Sequence, residues 1–336
     1  MKTVKTVMMA MTAAFALALS TAAEARELKI GTLAPDGSFW MESVRRGAAE
    51  IERRTDGRVK FRFYPGGTMG NEQAMLRKIR IGQLHGTAVL SGTLATIDPN
   101  LALYSRPLTF ESDEEVDAVR RQLDARLQKA LEQRGFVSFG LVESGFAYVM
   151  ATRSAATFAD LKGRKAWLPE GDQISEALLR EAGMVPVSLP LSDVMTGLQT
   201  GLVDVVAGPP VGAVALQWFT RAKYLIDLPV LYTYGGLIFG ERAFSGVTAA
   251  DQTVVREVLE GVVRELDRDA RASNHAAREA LVKQGVQIVT PGEAVVSEWR
   301  EVASRTNVAL RDRLALDPAL VREVDAILSG HRGAGE

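Results

Sequence analysis

Aromatic and acidic side chains gather around two short turns of the same type, each placed directly after a predicted strand. The turns read Pro35-Asp36-Gly37-Ser38 and Pro169-Glu170-Gly171-Asp172. Aromatic faces with a few polar groups are typical of a small-molecule pocket that is mostly apolar. We predict a pocket with aromatic walls and acidic contacts near the rim. The candidate residues are Trp167, Phe146, Phe39, Trp40, Trp218, Glu170, Asp172 and Pro209.

Residues that usually carry enzyme chemistry are scarce. The chain has no cysteine, and its three histidines, His85, His275 and His331, are far apart in sequence. No serine-hydrolase, metalloprotease or nucleotide-binding motif occurs. We therefore predict a binding protein with no catalytic residue, metal or cofactor. One enzymatic alternative stays open, an exported hydrolase whose two carboxyl groups face each other across a cleft with perturbed pKa values.

The first residues have the order of a secretory signal peptide. Lys2 and Lys5 precede an apolar run from Val7 to Leu19, and small residues end at Ala23-Glu24-Ala25. This pattern predicts cleavage after Ala25 and a periplasmic protein. The apolar run is too short to cross a bilayer, so we expect no direct membrane insertion. A formal net charge of −1 gives no reason to expect a nucleic-acid partner.

The rest of the chain alternates strands and helices. Strands are predicted at Leu28 to Thr32, Val59 to Phe63 and Thr87 to Leu90, with helices between them. The same order returns from Arg164 to Ala207. Such alternation predicts mostly parallel sheets flanked by helices. In open α/β sheets ligands bind at the carboxyl ends of the strands, where both turns lie, so the turns should face each other across one cleft.

Length favours two lobes, because 336 residues are more than one core usually fills. We predict an α/β fold of the two-lobed periplasmic-binding-protein type, with a long helix that spans both lobes. The predicted divisions are a signal peptide (1–25), lobe I (26–148 plus about 235–265), lobe II (149–234 plus about 266–329) and a disordered tail (330–336).

The spanning helix is predicted from about Thr248 to Gln284. Thr248 and Asp251 have the spacing of a capping box, and Gly285 is a natural end. The alternative is two helices broken near Asn274, since average helices are much shorter.

Several motifs, in order, resemble those of one protein family. They are Thr55-Asp56-Gly57-Arg58-Val59, Tyr64 to Glu72, Ile81-Gly82-Gln83-Leu84, Phe158 to Lys165, Pro186 to Val194 and Gly197 to Asp204. Together they resemble the solute-binding proteins of TRAP transporters, the DctP-like family, over essentially the whole mature chain. The resemblance implies a periplasmic protein of two α/β lobes that closes on a small ligand. It also implies delivery to a membrane permease made of a small and a large subunit.

The sequence departs from this family at the residues that bind the ligand's carboxylate. Most members carry an arginine in a pattern near D-L-K-G-x-K-x-R-x-P, and Trp167 stands at that position here. A second family arginine is replaced by Phe146. The family pattern thus places Trp167 at the floor of the pocket. Because burying an anion without a paired cation is costly, the departure favours a neutral or largely apolar ligand, or a cation held on aromatic faces, over a simple carboxylate.

An alternative keeps the organic acid as ligand. In that case Arg106, Arg153 or Arg164 would supply the positive charge from another position, or helix N-termini would suffice.

Overall fold

The computed structural model describes residues 25–333. The predicted signal peptide, apart from Ala25, lies outside these residues. Within this range no helix combines the length and apolar character needed to cross a membrane.

Within the described chain, nine strands form one continuous sheet. In chain order they are β1 (Arg26–Gly31), β2 (Val59–Tyr64), β3 (Gly86–Leu90), β4 (Phe136–Ala151), β5 (Lys165–Leu168), β6 (Val185–Ser188), β7 (Val205–Gly208), β8 (Tyr224–Gly240) and β9 (Gln287–Val289).

Helices cover the faces of this sheet. They are α1 (Phe39–Arg54), α2 (Glu72–Arg80), α3 (Ser91–Ile97), α4 (Asp113–Gln133), α5 (Gln173–Glu181), α6 (Val194–Thr200), α7 (Pro210–Ala215), α8 (Glu241–Phe244), α9 (Ala249–Lys283), α10 (Glu293–Leu314) and α11 (Pro318–Gly333). Short 3-10 turns occupy Pro99–Ser105, Phe158–Asp160, Leu191–Asp193 and Trp218–Thr220.

Two parallel ends of the sheet are joined by two long antiparallel strands. At one end β1 pairs with β2 and β3, and at the other β5 pairs with β6 and β7, all in parallel. Between them β4 and β8 pair antiparallel, from Phe136 opposite Gly240 to Ala151 opposite Tyr224. This topology confirms the prediction of two α/β lobes. The predicted lobe boundaries at 148/149 and 234/235 fall inside the two long strands.

Side chains that accept backbone N–H groups begin the helices that border the cleft. They are Ser38 before α1, Asn71 before α2, Asp172 before α5 and Thr248 before α9. Each satisfies N–H groups that a first helical turn leaves without an intrahelical partner.

Helix α9 is a single helix of 35 residues, so the alternative of a break near Asn274 is wrong. Its first half packs Val255 and Leu259 into the core of lobe I, and Leu281 packs into the core of lobe II. Asn274 lies inside the helix and donates from Nδ2 to the carbonyl oxygen of Ser144 in β4, at 2.8 Å. This close approach requires glycine at position 145, where a Cβ would lie 2.5 Å from Nδ2. At 1.5 Å per residue α9 is about 50 Å long and connects both lobes.

The last helix reaches into the segment predicted as a disordered tail. Residues 330–333 are helical, whereas 334–336 lie outside the described residues. Leu320, Val324 and Leu328 bury one side of α11. Arg332 holds its last turn, because its guanidinium donates to the Glu115 carboxylate at 2.6 and 2.9 Å.

Ion pairs that include the buried side chains of Arg120 and Glu143 hold α4, α9 and β4 together where the long strands cross between the lobes. Arg120 of α4 donates to Asp267 of α9 at 2.8 Å and to the carbonyl oxygen of Leu141 in β4 at 3.0 Å. Arg271 of α9 reaches Asp117 of α4 at 2.7 Å and Glu143 of β4 at 3.1 Å. We call Arg120, Asp267, Glu143, Arg271 and Asp117 the crossing network.

We predict that Arg120→Met destabilises the fold by about 2–3 kcal/mol, because the substitution leaves the half-buried carboxylates of Asp124 and Asp267 without this cation. Urea unfolding followed by tryptophan fluorescence measures this. Arg126→Met in the same helix is the control, since Arg126 is half-exposed and its ion pair within residues 25–333 is with Glu323. It should cost at most about 1 kcal/mol. Equal losses in the two variants would contradict the role given to the crossing network.

Candidate functional site

A cavity of about 490 Å³ lies between the two lobes. Lobe I contributes the turn at Pro35 and Ser38, and lobe II contributes the turn at Pro169 and Glu170. The long strands and α9 close the remaining wall, with Leu266 and Ala270 among its residues. The two Pro-acid-Gly turns thus lie on opposite walls of one cavity.

Most of the residues predicted for the pocket line this cavity. They are Trp167, Phe39, Trp40, Trp218, Glu170, Asp172 and Pro209. Phe39 is 47% exposed and Trp167 only 6%, which is consistent with a position at the mouth for the first and deep in the wall for the second.

Phe146, also predicted for the pocket, is not among the residues that line the cavity. Side chains alternate along a strand, and in β4 it is Ala147 and Val149 that line the cavity. Phe146 lies opposite Tyr232 of β8 and packs edge-to-face on its ring, with centroids 5.6 Å apart.

All four tryptophans of the sequence line the cavity: Trp40, Trp167, Trp218 and Trp299. The indole of Trp167 donates to the carbonyl oxygen of Leu189 at 2.9 Å and meets Trp218 edge-to-face at 5.3 Å. Trp299 comes from α10 and was missed by the sequence analysis, because nothing in the local pattern of that helix distinguishes it from ordinary core.

The charged residues lining the cavity are all acidic. They are Glu72, Glu143, Glu170 and Asp172, and over residues 25–333 no arginine, lysine or histidine lines it. Glu143 is neutralised within the crossing network by Arg271, which opposes the increase in pKa that burial causes. The other three carboxyls have no such partner among the lining residues.

Glu72 is the most buried of these three acids. It is the first residue of α2, is 9% exposed, and accepts a hydrogen bond from the backbone N–H of Leu90 at 3.0 Å. Burial raises the pKa of Glu72 to about 7, and the nearby charge of Asp172 adds to the increase, while hydrogen bonds from Thr93 and Leu90 oppose it. An ordinary glutamate would be fully ionised at neutral pH, whereas this one is near its midpoint.

Asp172 belongs to the opposite lobe. Its side chain caps α5, accepting from the N–H groups of Ile174 and Ser175 at 3.0 and 3.1 Å and from the Ser175 hydroxyl at 2.7 Å. Burial still raises the pKa of Asp172 above its usual value, against these hydrogen bonds. Glu72 and Asp172 therefore line one cavity from opposite lobes.

The lobes touch along the rim of the cavity. The side-chain amide of Asn71 in lobe I donates to the carboxylate of Glu170 in lobe II. Gly92 lies against Asp172, where a Cβ would come within 2.9 Å of the carboxyl carbon. The structure therefore shows the closed arrangement of the two lobes.

The three arginines considered as relocated cations lie elsewhere. Arg164 donates to the carbonyl oxygens of Arg153 and Ser154 at 2.9 and 2.7 Å, outside the cavity lining. Arg106 is buried and bonds Asp325 of α11 at 2.7 Å.

A family model and several known proteins match this chain. The model for DctP, bacterial extracellular solute-binding protein family 7, matches residues 30–308. The sialic acid-binding periplasmic protein of Vibrio cholerae is 23% identical over 318 residues, which is 89% of this chain and 96% of the relative.

Solved structures share the fold. A TRAP periplasmic solute-binding protein from Xanthobacter autotrophicus, with bound β-D-galacturonate, gives a TM-score of 0.81 at 22% identity, covering 90% of this chain and 99% of its own. An extracytoplasmic solute receptor of Bordetella pertussis binding pyroglutamic acid gives a TM-score of 0.83 at 18% identity. The match covers 91% of this chain and 100% of the receptor. The family match spans most of the sequence, and the fold and the cavity between the lobes agree with it. The chain belongs to the DctP family of TRAP periplasmic solute-binding proteins, bacterial extracellular solute-binding protein family 7.

Proposed function

We propose that this protein is the periplasmic receptor of a TRAP-type uptake system and that its ligand is largely apolar and has no carboxylate. A signal peptide cleaved after Ala25 would deliver it to the periplasm. There it would hand its ligand to a membrane permease of a small and a large subunit, as the family resemblance implies.

The observation that carries the proposal is the charge of the cavity lining. Four tryptophans and many aliphatic side chains surround the space, and the charged groups at its surface are carboxyls. A buried carboxylate without a cation costs several kcal/mol, and nearby negative charges add to that cost. An organic acid would therefore bind weakly in this cavity.

The matched proteins set the contrast. Sialic acid, galacturonate and pyroglutamate, the ligands of the three proteins compared above, each carry a carboxylate. At identities of 18–23% a shared fold does not imply that the proteins bind the same ligand. The side chains that line this cavity argue for a different ligand class on the same scaffold.

Catalysis by the cleft carboxyls is the alternative from another class. Glu72 and Asp172 do meet between the lobes with raised pKa values, as a hydrolase would require. However, the family consists of solute-binding proteins, and the three hydrogen bonds to Asp172 hold it as a helix cap. The chain is a binding protein and not an enzyme.

Closure is the step that couples binding to transport in this proposal. A ligand in contact with both walls stabilises the closed state relative to an open one, and the permease then meets a surface that the empty protein presents less often. In this structure the Asn71–Glu170 hydrogen bond joins the two walls.

We expect native mass spectrometry of the purified protein to show a bound molecule of a few hundred daltons. Extraction and fragmentation should give a compound without a carboxylate. Calorimetry with sialic acid, galacturonate and pyroglutamate should show no binding at micromolar concentrations. Tight binding of any of these acids in the cleft would refute the proposed ligand class.

Trp167→Ala should lower ligand affinity by about 2 kcal/mol, roughly thirty-fold, because it removes a large aromatic wall from an enclosed site. The fraction of protein that retains ligand in native mass spectrometry measures the loss. Phe146→Ala is the matched control, since that ring packs on Tyr232 outside the cavity lining. If both variants retain ligand equally well, Trp167 does not form part of the site.

Glu170→Ala should speed ligand release about five- to ten-fold, because it removes a hydrogen bond worth about 1 kcal/mol to the closed state. Stopped-flow tryptophan fluorescence with the co-purified ligand measures the rate. The control is Asp36→Ala, at the same place in the other Pro-acid-Gly turn, where the carboxylate is exposed and pairs only with Arg45. An unchanged rate in Glu170→Ala would show that this contact does not hold the lobes shut.

A further inference from the structure

The cavity holds an excess of negative charge that the protein itself does not balance. Glu72 from lobe I and Asp172 and Glu170 from lobe II line the same cavity, and the charge of Asp172 acts on Glu72. Within residues 25–333 the basic side chains of α2, Arg77, Lys78 and Arg80, are not among the residues that line the cavity. Closing the lobes thus brings carboxyls together at a site from which water is largely removed.

Two ionised carboxyls from different lobes repel each other in the closed state unless a positive group lies between them. A positive group placed between them turns mutual repulsion into attraction, and its strength grows as the surroundings become less polar. The ligand is the component that arrives when the lobes close, and in a solute-binding protein the cavity between the lobes is where it goes.

We propose that the ligand presents a protonated nitrogen, as an amine or ammonium group on an apolar body, to Glu72 and Asp172 in the closed cavity. The inference rests on the proposed function and specifies the ligand class further. The two carboxyls come from opposite lobes, so a donor group with several N–H bonds that binds both would hold the lobes together.

The remaining walls suit such a ligand. Trp40, Trp167, Trp218 and Trp299 offer aromatic faces that attract cations and also cover hydrocarbon. Glu143, the fourth acid of the lining, already has Arg271 and Arg120 as partners, so it does not compete for the nitrogen. The position of the cation is therefore set by Glu72 and Asp172, with Glu170 at the rim.

The protonation of Glu72 gives this proposal a pH signature. In the empty closed cavity burial raises the pKa of Glu72 to about 7, so the group is mostly protonated at pH 5.5 and mostly ionised at pH 8. A cation binds the ionised form better, which lowers that pKa and makes cation affinity increase with pH over this range. Alkylamines remain protonated at both pH values. Affinity for a neutral ligand would not increase in this way.

The test uses the full mature protein, freed of bound ligand by unfolding and refolding. Three matched sets of probes share a hydrocarbon body, phenylethyl, cyclohexylmethyl or hexyl, and differ only in an amine, an alcohol or a carboxylate. Thermal shift ranks the probes, and tryptophan fluorescence titration gives dissociation constants at pH 5.5 and 8. We expect at least one amine to bind ten-fold or more tightly than its alcohol at pH 8. Its affinity should also increase about ten-fold from pH 5.5 to 8.

Charge-removing variants locate the effect. Glu72→Gln should abolish both the preference for the amine and its pH dependence. Glu42→Gln should retain both, since Glu42 is likewise an acid in the first turn of a lobe I helix but is exposed and outside the lining. Asp172→Asn provides a second test if Glu72→Gln folds poorly, and it should reduce the preference for the amine.

The possible results separate the two proposals. If an alcohol binds as tightly as its amine, or no amine binds, the inference of a cationic ligand is overturned while an apolar ligand without a carboxylate still stands. If the carboxylates bind most tightly, both the inference and the proposed function fail.

Discussion

Glu143 occupies the point on which the arrangement of the lobes depends. It lies in β4 where the chain crosses between them, lines the cavity, and is bonded to Arg271 of α9 at 3.1 Å. Its backbone N–H donates to Asp267 of the same helix at 2.7 Å. A buried charge is tolerated only when it is paired, so the crossing strand and the spanning helix are held in one register. Because β4 and α9 both run through the two lobes, this contact fixes the position of one lobe relative to the other.

The same ion pairs explain the charge of the cavity. Arg120 and Arg271, the cations nearest the crossing, are committed to carboxylates of α4, α9 and β4. Their charge stabilises the scaffold and is not available to a ligand. Glu72 and Asp172, which line the cavity, belong to helix starts in the two lobes. The charges of the crossing network are thus paired with one another. The carboxyls of Glu72 and Asp172 have no cation among the residues that line the cavity.

Sequence patterns predicted the large features because those features depend on local rules. Alternating strands and helices gave the two lobes, and the Thr248 cap with an apolar stripe gave the long helix. The side on which Phe146 lies was not accessible in this way, because the pairing of β4 with β8 shifts register between Glu143 and Gly145. Trp299 and Glu72 were missed for a related reason. Their position in the cavity follows from how whole helices dock, which no local spacing encodes.

The raised pKa of Glu72 is unusual because Glu72 is the first residue of a helix. Anions are stabilised at the first turn of a helix, so an acid there is ordinarily ionised and unremarkable. Here that turn is buried between lobes, and the loss of water outweighs the favourable helix end and the hydrogen bond from Leu90. The result is a carboxyl whose charge responds to what enters the cavity. On a scaffold shared with proteins whose ligands are sugar acids, the charged side chains that line this cavity are thus carboxyls.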